Sequence, residues 1–194
     1  MKGFGIIKPT VSVGWVEKEA PKAGLFEAVL EPVALCPCTS DVDTAQENPN
    51  IAPNRILGHE GVGRVVEIGE GVTELQVGDV VAVPAVTPMW RNLDIQDGIH
   101  QHSGGPGGRY LSSRWDGMFG ELFKVPDADL NLAKIPEGVS LEAAALVGDM
   151  VTTGFHGVEL ANVKYGDRVA VIGIGPVGLM SVAGAALRGA AEIF

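Results

Sequence analysis

Cysteine is almost missing from this chain: two among 194 residues, Cys36 and Cys38, with only Pro37 between them. Two thiols cannot build the multi-bridge framework of a small secreted domain, and a bridge across one residue is too short to form easily. The pair is expected to be reduced, in a cytoplasmic protein, with Cys36 a small buried hydrophobe. Basic residues are also scarce. Lys and Arg number 14 against 24 Asp and Glu, for a formal charge of −10, and no long basic run occurs. That speaks against binding to a nucleic-acid backbone. Apolar runs are short, and none approaches the ~18 residues of a membrane span. The opening MKGFGIIKPTVSVGWVEKEAP is interrupted by Lys8 and Pro9, so no leader peptide is expected. No internal repeat or low-complexity tract is visible.

What is present is apolar residue and glycine. Hydrophobic residues make up 46% of the chain, enough for a sizeable core, and glycine occurs 27 times. That is roughly double glycine's usual share of about 7%, and it points to turns and close backbone contacts. Over the first ~140 residues short β-branched runs alternate with Gly, Pro, Asn and Asp, the pattern of strands and turns. Glu27–Leu35, Gly63–Ile68 and Asp79–Val83 are predicted strands of an irregular, mainly antiparallel, barrel-like β-domain. The long loop Thr87–Asp116 is expected to be functional or a small lobe. From Ser140 the pattern changes. Ser140 reads as the N-cap of a helix through LEAAALVGDMVTTGFHGVEL, bent or split at Gly148 and Gly154. Next come a short strand RVAVI, a glycine-rich turn, and a helix with Pro176 near its first position and Gly189 past its end. AEIF begins a second strand, so the chain closes on a βαβ unit.

The turn Gly173-Ile174-Gly175-Pro176-Val177-Gly178 fits G-x-G-x-x-G between a strand and a helix. In a dinucleotide site the first glycine permits the tight turn and the second lets a pyrophosphate approach the backbone. The third lets the helix pack close, and the helix N-terminus supplies free N–H groups. A glycine-rich turn without a ligand is the alternative. The ribose-binding acid, about 20 residues further on, would fall at or beyond Phe194. A second marked stretch is ILGHEGVGRVVEIGEGV, where His59 and Glu60 stand between Gly58 and Gly61. The residues alone leave two readings open, a satisfied turn histidine or an imidazole presented to a metal with a carboxylate beside it.

Taken whole, Gly58-His59-Glu60, Gly63, Gly69 and Val72 match the zinc signature of the medium-chain alcohol dehydrogenases. The chain resembles that family over essentially its whole length. It is most similar to the bacterial NADP-linked secondary-alcohol dehydrogenases, in the register of PCTSD, ILGHE, VGDVVAVPAVTP, HQHSGG, DADLNLA, DMVTTGFHG and VIGIGPVGLM. The resemblance implies a GroES-like catalytic domain over residues 1–150 and the start of a Rossmann domain over 151–194. It implies one catalytic zinc held by Cys38, His59 and Asp149, with Glu60 a fourth or exchangeable ligand, and no structural zinc, since no cysteine follows Cys38. Ser40 would begin a proton relay and Thr153 would pack against the nicotinamide of NADP or NAD. Gly173, Gly175, Pro176, Val177 and Gly178 would hold the pyrophosphate. The reaction implied interconverts a small alcohol and a ketone or aldehyde, in an enzyme that is a tetramer or dimer.

Three departures from the family stand out. Close relatives carry histidine three residues after the relay serine, where this chain has Asp43. Histidine accepts and releases a proton near neutral pH, whereas an ordinary aspartate is already ionised there and accepts weakly. The relay is then expected to run through water, or the substrate to be more polar. Close relatives carry an indole in the middle of the loop GGPGGRYLSSRWDG, whereas here Arg109 and Tyr110 stand nearby and the loop is shorter, so the relatives' small secondary alcohols should not be assumed. His100 and His102 in this loop are read as loop or interface residues, not ligands. Finally, family members continue well over a hundred residues beyond a position like Phe194, so the chain is expected to be a fragment. Rival readings are a truncated, inactive zinc-binding module and a zinc-free quinone or enone reductase relative. A scaffold protein is a third, which nothing in the residues calls for.

Overall fold

The computed structural model of the chain describes residues 1–91, 93–95, 97, 98 and 110–194. The chain divides into two compact units, Met1–Ala145 and Leu146–Phe194.

The first unit is built on antiparallel strands, as the alternation of apolar and turn residues predicts. Strands β1 (Lys2–Lys8) and β2 (Ser12–Glu17) form a hairpin. A five-stranded sheet follows, made of β3 (Ala28–Leu35), β4 (Gly61–Ile68), β5 (Val80–Val83), β6 (Phe123–Val125) and β7 (Ala133–Lys134), in the order β6-β3-β4-β5-β7. The three predicted strands coincide with β3, β4 and β5 to within two residues. Period-2 alternation is clearest in β5, where Val81 and Val83 are fully buried. They join Leu30, Val65, Met118, Phe123 and Val125 in the main core. Proline in a central strand removes a ladder donor. Pro32 lies in β3 beyond Ala28–Leu30, the stretch that β6 pairs, and the register with β4 shifts between Pro32 and Ala34.

Helix α1 (Thr39–Glu47) was not foreseen from the sequence. Its residues TSDVDTAQE carry no apolar stripe, and Asp41 is its one buried residue. Two short helices, α2 (Ala128–Asn131) and α3 (Leu141–Leu146), complete the first set of elements. The predicted cap of α3 is present: the Ser140 hydroxyl accepts the Ala143 N–H at 3.2 Å.

In the second unit a widened helical turn, Val147–Val151, precedes α4 (Thr152–Leu160). The break falls at Gly148, as expected. Gly154, expected to interrupt the helix too, lies inside α4. A Cβ there would stand 2.7 Å from both Met180 Cβ and the Val177 carbonyl oxygen, so this glycine serves close packing, not a bend. Strand β8 (Arg168–Val169), helix α5 (Pro176–Leu187) and strand β9 (Glu192–Ile193) form the predicted βαβ unit, with β8 and β9 parallel. The strand RVAVI is shorter than expected, although Val171 N–H still donates to the Phe194 carbonyl at 2.8 Å. Pro176 opens α5 and Gly189, at φ +82°, follows its end, both as predicted. Val158, Val163 and Ala185 form the buried centre of this unit.

The edge of the sheet carries a pH-sensitive tie. Asp79 accepts the Gln76 N–H at 2.9 Å and pairs with Lys134 of β7 at 3.0 Å. The Gln76 amide, and then the Lys134 ammonium, hold the Asp79 carboxyl below its usual range. A carboxyl lowered on folding contributes stability above its unfolded pKa and loses it as pH falls through the folded one. Asp79→Asn is therefore expected to lower the urea midpoint at neutral pH, with the gap closing below about pH 4. A gap that stays constant down to pH 3 would refute the assignment.

Candidate metal centre

The pairing of β3 with β4 brings the marked residues together. Leu35 at the end of β3 lies opposite Gly61 at the start of β4. Cys36–Cys38 and His59–Glu60 therefore leave the sheet at the same end, and the Cys36 N–H donates to the Glu60 carbonyl at 3.4 Å. Glycines flank His59 and Glu60 for a conformational reason. Gly58 has φ +89° and Gly61 φ +151°, values that side chains resist. A Cβ on Gly58 would stand 2.4 Å from the Phe119 ring, and one on Gly61 would stand 2.4 Å from the Ala34 carbonyl oxygen.

The thiol of Cys38, an imidazole nitrogen of His59 and a carboxylate oxygen of Glu60 lie within 4.8 Å of one another. His59 and Glu60 are buried, and Cys38 half-buried. Asp41, 5% exposed, organises this cluster. Its Oδ1 accepts the Gly58 N–H and lies 3.1 Å from His59 Nδ1, while its Oδ2 accepts the Cys38 N–H at 3.1 Å. A carboxylate has no proton to give, so Nδ1 is the donor and Nε2 carries the free lone pair. The Ser40 hydroxyl is 3.3 Å from His59 Nε2 and donates to Cys38 Sγ at 3.3 Å. This arrangement passes a chemical test of fit for zinc. Thiolate, imidazole and carboxylate are the donor types of a catalytic zinc site. A ligating histidine typically donates its other N–H to a carboxylate, which fixes its tautomer and ring orientation.

Asp41 was missed in the sequence reading. Asp41 stands three residues after Cys38, the residue that precedes α1 in the structure, and reaches back to its backbone N–H as the third-position acid of a capping box does. Cys36 is half-buried where full burial was expected, because it sits at the strand end, and no disulfide joins it to Cys38. Asp43 is exposed on α1, three residues after Ser40 and so on the same side of the helix. His100, His102 and Arg109 lie outside the described residues, as does the side chain of Tyr110.

The other expected site residues belong to the second unit. Asp149 is half-buried in the turn Val147–Val151, and the Thr153 hydroxyl donates to its Oδ1 at 2.6 Å. In the glycine-rich turn, Gly173 has φ +92°. A Cβ on Gly178 would stand 1.9 Å from the Gly173 carbonyl oxygen, whereas one on Gly175 would meet nothing within 4 Å. Gly178 thus closes the turn tightly and Gly175 leaves it open. Gly175 is the extended residue before Pro176 and Val177, which start α5.

Among the described residues no helix is long and apolar enough to cross a membrane. Residues 25–137 match the family described as the alcohol dehydrogenase GroES-like domain. The chain is 54% identical over 195 residues to the NADP-dependent isopropanol dehydrogenase of Thermoanaerobacter brockii, covering 100% of this chain and 55% of that protein. It is 51% identical, with the same coverage, to the NADP-dependent isopropanol dehydrogenase of Clostridium beijerinckii. Among solved structures, zinc dependent alcohol dehydrogenase 2 from Streptococcus pneumonia superposes with a TM-score of 0.89 at 33% identity, covering 100% of this chain and 55% of that one. An alcohol dehydrogenase from Thermus sp. ATN1 gives 0.88 at 30% identity, covering 100% and 57%. The chain therefore spans about half the length of the curated relatives it matches. The sheet-rich fold with short helices, the glycine-flanked His59-Glu60 pair and these matches agree: the chain belongs to the alcohol dehydrogenase GroES-like domain family.

Proposed function

We propose that this chain supplies the zinc-binding part, residues 1–150, and the opening of the dinucleotide-binding part, residues 151–194, of an NADP-linked dehydrogenase interconverting secondary alcohols and ketones. The observation that carries this reading is the His59 ring, held at Nδ1 by Asp41, with an imidazole nitrogen within 4.8 Å of the Cys38 thiol and a Glu60 carboxylate oxygen. Cys38, His59 and Asp149 would hold one zinc ion, with Glu60 as a fourth or exchangeable ligand. The bound ion would supply Lewis-acid polarisation of the alcohol oxygen. Hydride transfer would be the nicotinamide's own chemistry.

This chain's residues do the rest. Ser40, placed at the thiol and the imidazole, accepts the substrate hydroxyl proton and passes it outward. Asp43 on the same side of α1 and exposed, receives it directly or through water. Gly173 and Gly178 shape the turn, and Gly175 leaves room for the pyrophosphate at the start of α5, beside Pro176 and Val177. Thr153 would pack against the nicotinamide. Support for NADP over NAD comes from the named cofactor of the isopropanol dehydrogenases above. The enzyme is proposed to be a cytoplasmic homo-oligomer, a tetramer or dimer, that binds neither nucleic acid nor membrane.

Two measurements test the reading. Purified protein is expected to hold about one zinc per chain by plasma emission, with Cys38→Ser and His59→Ala losing it and Asp41→Asn binding it about 10–100-fold more weakly. Zinc content near zero in the wild type would favour a zinc-free reductase instead. For the relay, Asp43→His is expected to give the pH–rate profile of secondary-alcohol oxidation an acid limb near the histidine range, about 6.5. An unchanged profile and unchanged substrate preference would remove position 43 from the relay.

A further inference from the structure

Residue Asp149 is held at both ends by two consecutive threonines. The Thr152 backbone N–H and hydroxyl both donate to the Asp149 main-chain carbonyl, the hydroxyl at 3.0 Å. The next residue turns the other way: the Thr153 hydroxyl donates to Asp149 Oδ1 at 2.6 Å. That length is typical of a charge-assisted O–H···O⁻ bond. Threonine suits the task because its β-branch restricts χ1, so the hydroxyl is pre-placed in a way that a longer polar side chain would not be. The widened turn Val147–Val151 shifts the helical register just before α4, and Asp149 lies at its centre. Such turns cluster at functional sites.

From this geometry we infer that Thr153 is a positioning residue for the metal ligand Asp149: its hydroxyl fixes Oδ1 and thereby the plane of the carboxylate and the direction of Oδ2. The inference rests on the zinc reading above. It adds a second task to the residue expected against the nicotinamide. The hydroxyl oxygen keeps two acceptor positions while it donates to Asp149. If Thr153 also packs against the nicotinamide, one side chain would serve both the ligand's carboxylate and the cofactor.

The test compares Thr153→Val, which keeps the shape and removes the hydroxyl, with Thr153→Ser, which keeps the hydroxyl. Zinc affinity is measured by chelator competition, and the visible ligand-field bands by cobalt substitution. The valine variant is expected to bind zinc about 10–100-fold more weakly, with shifted cobalt bands, and the serine variant to stay within about threefold of wild type with unshifted bands. Thr153 is exposed, so both variants are expected to fold, which the metal-free unfolding midpoint checks. Wild-type affinity and bands in the valine variant would overturn the inference, as would equal losses in both variants. Failure of the underlying reading looks different: Asp149→Ala or Cys38→Ser would then leave zinc affinity unchanged.

Discussion

One carboxylate organises the first unit's site. Asp41 accepts from the Cys38 N–H, the Gly58 N–H and His59 Nδ1, three donors on two separated stretches of chain. Hydrogen bonds to a charged group contribute roughly 1.5–3 kcal/mol each, about twice a neutral one. A carboxylate as buried as this one would be costly without them. The same three bonds start α1, hold the Gly58 turn in its left-handed conformation, and choose the tautomer of His59. Local fold and candidate chemistry therefore depend on the same atoms.

Glycine makes the corresponding contribution in both units, by excluding a Cβ where backbone or ring must come close. At Gly58 the excluded contact is the Phe119 ring, at Gly61 the Ala34 carbonyl, and at Gly178 the Gly173 carbonyl. Gly154 does the same between α4 and α5. At these four positions glycine serves a close approach of backbone or side chain, not a flexible linker.

Much of the fold was legible because it follows from steric rules acting on neighbours. The β-branched runs became β3, β4 and β5, Ser140 capped its helix, and the glycine-rich turn followed by Pro176 opened α5. Helix α1 was not legible, since its residues bury Asp41 and show no apolar face. Its start depends on partners 17 and 18 residues from Asp41, Gly58 and His59, and no local pattern encodes those. Gly154 was misread for a similar reason: in sequence a helical glycine signals a break, and only the neighbouring α5 turns it into a packing device. The ligand candidates Cys38, His59 and Glu60 were legible through the family register, whereas Asp41 was hidden as an unremarked acid inside the same motif.

The weak intrinsic basis of α1 has a consequence. Ala45 packs against the small cluster of Ile6, Ile51 and Leu57, and that is the helix's main apolar attachment. Its polar attachments are Asp41, the N-terminal bonds to Cys38, and Ser40 beside His59. A nine-residue helix of polar sequence is marginal in water, so its order depends on that N-terminal anchor. A ligand bound by both Cys38 and His59 would clamp the anchor, and binding to the native state alone adds RT ln(1 + [L]/Kd) to stability. Zinc held there would then order the helix that carries Ser40 and Asp43, so metal binding and the placement of these two side chains would be a single equilibrium in this unit.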